Sequence, residues 1–157
     1  QALFRTHIDV ARETGLPLII HTRDAEDDTA AILEEEMGKG AYPALIHCFT
    51  ASESFGRKVL DLGLSISLSG IVTFKNAQDL QEVAKIIPAE RLLVETDSPF
   101  LAPVPHRGKT CEPAFVANTA QFVADLRETS VEELAEQTTR NFHALFAKTR
   151  QQGKATA

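Results

Sequence analysis

The chain has 157 residues, 43% of them hydrophobic, which is the size and apolar content of one domain with its own core. Its formal charge of -6 argues against a broadly basic nucleic-acid footprint but leaves room for local basic loops that take a phosphate. Two cysteines, Cys48 and Cys111, are too few for a disulfide framework and fit a reducing compartment such as the cytoplasm; no apolar run approaches the roughly 18 residues of a membrane span.

The chain opens inside a helical pattern and without Met, so it is expected to be part of something longer. Leu3, Phe4, Ile8 and Ala11 give a helical stripe closed by Gly15, and "LPLIIH" follows as a short, nearly continuous apolar run. The same unit returns three times. "DAEDDTAAILEEEMGKG" reads as a helix with acids in its first turns and leads into "YPALIHCF". "SESFGRKVLDLG" leads into "LSISLSG", and "NAQDLQEVAKIIP" into "LLVETD". Two further helices are predicted, from Pro113 to about Arg127 and from Ser130 to about Lys148, the second opened by a capping box of Ser130 and Glu133. The closing "QQGKATA", residues 151–157, reads as a frayed, flexible tail, so the domain is assigned to residues 1–150.

Strands of about five to seven apolar residues alternating with helices require a parallel sheet covered by those helices, an α/β fold. A small open sheet and part of an eight-stranded TIM-like (β/α)8 barrel both fit; four units suggest the later half of a barrel. Half a barrel leaves strand edges and one side of its core open, so a second chain or a missing amino-terminal half is expected against it.

In such folds the carboxyl ends of the strands open on one face, where sites form. His21 closes "LPLIIH", His47 closes "PALIH" and Asp97 closes "LLVETD". Each alone reads equally well as a hydrogen-bonded core residue or a turn cap. Together they form an N,N,O set suited to zinc, manganese or a similar divalent ion. Glu95, two residues before Asp97, points to the same side of its strand and is placed to orient a ligand imidazole or a water. Arg23, Lys75, Arg107 and Lys109 sit in loops near these strand ends, where guanidinium and ammonium groups suit a phosphate. Solvated surface charge explains any one of them as well. Phe74 and Phe100 are candidates to stack on a base or to pack the rim.

The segments "HTRDA", "IHCFTAS", "SLSGIVTFKNA", "LLVETDSPFLAP", "RGKTCEP" and "TTRNFHALF" resemble the carboxyl-terminal part of the TatD-family metal-dependent deoxyribonucleases, which are amidohydrolase-like barrels. The resemblance covers nearly all of residues 1–150. It implies that His21, His47 and Asp97 are metal ligands, and that the intact protein hydrolyses DNA phosphodiester bonds, often from 3' to 5', with magnesium, manganese or zinc, two ions in the complete site. It also implies an amino-terminal His-x-His pair and a further glutamate that this chain does not contain. Cys111 stands where relatives often carry asparagine. Asp97 would then act as ligand and as acceptor of the water's proton, with DNA as the partner and no membrane. The other readings are a metal-dependent hydrolase of a small ester, amide or lactone, and a non-catalytic piece that only binds or assembles.

Overall fold

A computed structural model describes residues 1–149, so the predicted tail lies outside the described residues. Helix α1 spans Ala2–Thr14, strand β1 Leu18–Ile20, α2 Glu26–Lys39, β2 Ala44–Ile46 and α3 Glu53–Asp61. Then come β3 Ser65–Leu68, α4 Gln78–Ile86, β4 Leu92–Val94, α5 Val116–Leu126 and α6 Val131–Leu145. The local stops and starts are those the sequence dictates. Gly15 adopts a left-handed φ of 64° that lets its N–H close α1 on Ala11 O at 2.9 Å. Ser52 accepts from Phe55 N at the start of α3, and Ser130 and Glu133 exchange both bonds of the predicted capping box. Helix α6 stops at Leu145, short of the predicted Lys148, and a 3-10 turn, Ala147–Thr149, follows.

The strands are three or four residues long, shorter than predicted, because regular pairing stops where each run turns polar. The backbone bonds continue one step further: His47 N donates to Ile20 O at 2.9 Å and Glu95 N to Leu68 O at 3.0 Å. All pairings are parallel, in the order β1-β2-β3-β4, with Ile20 opposite Ile46 and Leu68 opposite Val94. Right-handed crossovers that always step the same way keep their helices on one face. This is the winding of a (β/α) barrel and not that of a doubly wound sheet, whose strand order reverses.

Ile20, Ala44, Ile46, Ile66, Leu68 and Leu92 share one buried cluster with Ile8, Leu33, Phe55, Val59, Val83 and Val123 from the helices. By alternation Ile19, Leu45, Ser65, Ser67 and Leu93 occupy the other face. Of these only Ile19 is exposed, at 59%, so the side of the core expected to lie open is largely covered; Leu3 and Val10 of α1 are also exposed. At the opposite edge the buried Asn141 of α6 donates to Ala89 O at 2.6 Å and Leu92 O at 2.8 Å, fastening the start of β4.

One buried charge ties α1 to α2. Glu36, 2% exposed, accepts from Lys39 Nζ and Arg5 Nη1, both at 2.7–2.8 Å, and from Arg12 Nη2 at 3.3 Å. The Lys39 and Arg5 hydrogen bonds, ahead of the opposing effect of burial, hold the Glu36 carboxyl down at about 2 from an ordinary 4.5. A carboxylate whose folded pKa is depressed contributes stability that is complete above its unfolded value and disappears as pH falls from about 4.5 towards 2. Urea denaturation should therefore show wild type losing stability across that window, with Glu36→Gln less stable at pH 6 and flatter towards acid. Parallel pH profiles for the two proteins would show that Glu36 carries no such linkage.

Candidate metal centre

The extended ladder brings the polar strand ends together. His47 follows β2 directly and is held beside β1 by its bond to Ile20 O; Glu95 follows β4 directly and is held beside β3 by its bond to Leu68 O. From these positions His47 Nδ1 lies 2.8 Å from Glu95 Oε1, and the backbone N–H of Cys48 donates to the same oxygen at 3.1 Å. Cys48 takes a left-handed φ of 46° here, which costs on the order of 1–3 kcal/mol for a residue other than glycine. The charge-assisted bond to Glu95 offsets part of that cost. Burial pushes the Cys48 thiol up, with the Ser69 hydroxyl at 3.2 Å opposing, so the sulfur is a neutral neighbour of the centre.

A carboxylate on Nδ1 fixes that nitrogen as the proton carrier and leaves Nε2 of a neutral imidazole with its lone pair free. Nε2 of His47 faces Nδ1 of His21 at 3.3 Å. Two imidazole nitrogens bound tetrahedrally to one zinc-sized ion at about 2.0–2.1 Å lie about 3.3–3.4 Å apart, so the pair already has the spacing of two ligands. The same spacing is a hydrogen bond when one nitrogen carries a proton. Donor atoms of His47, Glu95 and Asp97 lie within 4.8 Å of one another, the single grouping of this kind among the described residues. Glu95 Oε2 has no hydrogen-bond partner among the described residues and is open to a cation, whereas His21, one of the three expected ligands, lies outside this grouping and meets the centre only through His47. The donor set therefore fits a divalent cation. Nitrogen and carboxylate donors suit zinc or manganese.

An open cavity of about 520 Å³ adjoins the centre, lined among others by His21, Arg23, Cys48, Asp97, Phe100 and Leu101. Arg23 reaches it from an exposed position 3.7 Å from Asp24. Lys75, Arg107 and Lys109 are exposed and do not line it. Phe100 stands free at its wall, 67% exposed. Phe74 is not free to stack on a base with both faces, because the Arg107 guanidinium covers one at 3.5 Å from the ring centroid. His106 is likewise engaged, stacked on Phe115 at 3.9 Å.

Sequence reasoning missed two contributors. Glu26 was legible only as a helix-start acid; it lines the cavity and also accepts from Ser52 N at 3.1 Å and from the Ser52 hydroxyl, joining the loops after β1 and β2. Gly70 permits the loop after β4 to cross the loop after β3. A Cβ there would lie 2.2 Å from Leu101 O and 2.9 Å from Pro103 N. No local pattern signals either contact.

Residues 1–147 match the family described as TatD related DNase, and the chain belongs to that family. It is 53% identical over 146 residues to YcfH of Escherichia coli K12, described as an uncharacterized metal-dependent hydrolase; the match takes in 93% of this chain and 55% of YcfH. YabD of Bacillus subtilis, described in the same words, is 47% identical over 92% of this chain and 56% of its own length. The fold superposes on the crystal structure of YjjV, a TatD homolog from E. coli, with a TM-score of 0.80 and 26% identity, covering 89% of this chain and 53% of that one. The chain spans about half the length of the curated relatives it matches.

Replacing Glu95 by glutamine keeps the size and one acceptor oxygen but removes the charge that favours the cation. Titration calorimetry of the intact protein with zinc should show affinity lowered about 10- to 100-fold. An unchanged affinity would make Glu95 a bystander to the centre.

Proposed function

We propose that the intact protein is a metal-dependent hydrolase that cleaves DNA phosphodiester bonds, from the 3' end inwards, and that this chain is the later half of its (β/α)8 barrel. The observation that carries the reading is the His21–His47 pair at ligand spacing, braced by Glu95 and set beside Asp97. The family description supports action on DNA, and the names of YcfH and YabD support metal-dependent hydrolysis alone. In this reading the upstream half lies against the β1 edge, where Ile19 is exposed, and adds the ligands of a second ion. A cytoplasmic setting suits Cys48 and Cys111, both free and buried. Among the described residues no helix is long and apolar enough to cross a membrane.

Each residue then has a role set by its chemistry. His21 and His47 hold the cation through neutral nitrogens, and Glu95 keeps the His47 proton on Nδ1. When bound, a divalent cation supplies positive charge against the phosphoryl oxygens and acidifies a water. Asp97 is both ligand and acceptor of that water's proton. Arg23 meets the substrate at the cavity wall, and Arg107, with Lys75 and Lys109, binds phosphate outside it.

In the intact protein, Asp97→Asn should lower metal content or DNA turnover about a hundredfold or more, because the amide can neither hold the charge nor take the proton. Arg107→Ala should keep its metal and raise the Michaelis constant for DNA. Near-normal turnover and full metal in Asp97→Asn would reduce that residue to a turn cap. Hydrolysis of a carboxylic ester with no action on DNA would move the protein to another substrate class.

A further inference from the structure

Arg107 and Phe74 come from different loops, the one after β4 and the one after β3. The guanidinium carbon at 3.5 Å from the ring centroid is in face-on contact, which leaves the in-plane N–H donors at its rim clear of the ring. The platform is firmly held. Phe74 N donates to Ile71 O at 2.9 Å, and Gln81 Nε2 of α4 donates to Phe74 O at 3.1 Å and Val72 O at 3.0 Å. The two loops are also joined by Val104 N donating to Thr73 Oγ1 at 2.9 Å and by the close passage of Leu101 O over Gly70.

The charge on this platform has no counter-ion among the described residues. Arg5, Arg12, Arg57 and Arg140 each pair with a carboxylate, whereas Arg107 meets none among the described residues. An exposed guanidinium fixed by stacking, with its donors unused, is arranged for an anion. Arg107 does not line the cavity that contains Asp97, so its donors face solvent outside that cavity.

Resting on the phosphodiesterase reading above, we propose that Phe74 is a positioning residue for Arg107, and that the pair grips a phosphate of the same strand other than the one being cleaved. The preferred substrate is then an oligonucleotide, in which a second phosphate is always present, and not a diester with a single phosphate.

The test measures binding of the intact protein, in EDTA, to a fluorescently labelled single strand of about 12 nucleotides across a range of salt concentrations. Arg107→Ala should bind about tenfold more weakly and lower the slope of log affinity against log salt by about 0.7, the value for one single-strand phosphate. Phe74→Leu should weaken binding by about two- to fivefold, and Phe74→Trp should retain it. The double variant should be no weaker than Arg107→Ala alone, because both changes remove one contact. A dithymidine with one phosphate, measured by competition, should show none of these losses.

Full affinity in Arg107→Ala would overturn the proposal together with the phosphate role assigned to Arg107. A loss in Arg107→Ala with full affinity in Phe74→Leu would overturn the role of Phe74 and leave the phosphodiesterase reading standing. An equal loss with the dithymidine would overturn the second phosphate and assign Arg107 to the cleaved one. Should Phe74→Leu fail to fold, nuclear magnetic resonance of the wild type decides. Upfield ring-current shifts of the Arg107 side-chain protons are expected, and unshifted resonances would overturn the stacking.

Discussion

The backbone bonds from His47 N to Ile20 O and from Glu95 N to Leu68 O carry the parallel ladder one step past the strands, and the arrangement of the centre depends on them. A one-residue slip would turn His47 to the helix-covered face and take Nε2 away from His21. What prevents the slip is the core and not the ladder. Each ladder bond contributes roughly 1 kcal/mol net, because water competes for the same groups. Burying Ile46 and Ile66 completely contributes about 1.5–3 kcal/mol for each side chain, and a slip would take both out of the helix-packed cluster and onto the face that holds Ser65 and Ser67. Register is thus set by apolar packing on one side of the sheet, and the polar strand ends are placed as a result.

The loops divide the labour differently from the strands. Those after β1 and β2 are joined at Glu26 and Ser52, close to the cavity. Those after β3 and β4 are joined at Gly70, Thr73 and Phe74. Gly108 beside Arg107 has a φ of 83°, a conformation that an L side chain rarely adopts, so the turn carrying this arginine needs glycine. The loops after β3 and β4 are held by backbone and stacking contacts, and the Arg107 guanidinium meets no carboxylate among the described residues.

Much of this was legible in residue order. Gly15 as the end of α1, Ser130 and Glu133 as the start of α6, and the alternation of helix and strand all rest on local chemistry that holds in any fold. The placement of His21, His47 and Glu95 was legible because strand ends in parallel α/β folds share a face, although His21 and His47 are 26 residues apart and His47 and Glu95 are 48 apart. Strand length is overestimated from the sequence, since the apolar runs begin at Leu16 and Tyr42, ahead of the paired residues. Gly70 against Leu101, Glu26 on Ser52 and Phe74 under Arg107 were invisible because each joins two loops whose approach is fixed only by the packed sheet.

The strand order also bears on how the chain reaches its fold. Among the described residues every pairing joins consecutive strands, so none of these pairings joins distant parts of this chain. The entropy of closing each crossover grows only slowly with its length, by about 0.6 kcal/mol per doubling, which makes the successive closures nearly equal in cost. Short-range topology of this kind favours stepwise growth, in which a finished strand–helix unit is the template for its neighbour. The two histidines meet as soon as β1 and β2 pair, whereas Glu95 joins them only when the fourth strand docks. On this topology, stepwise growth would bring the parts of the centre together in chain order.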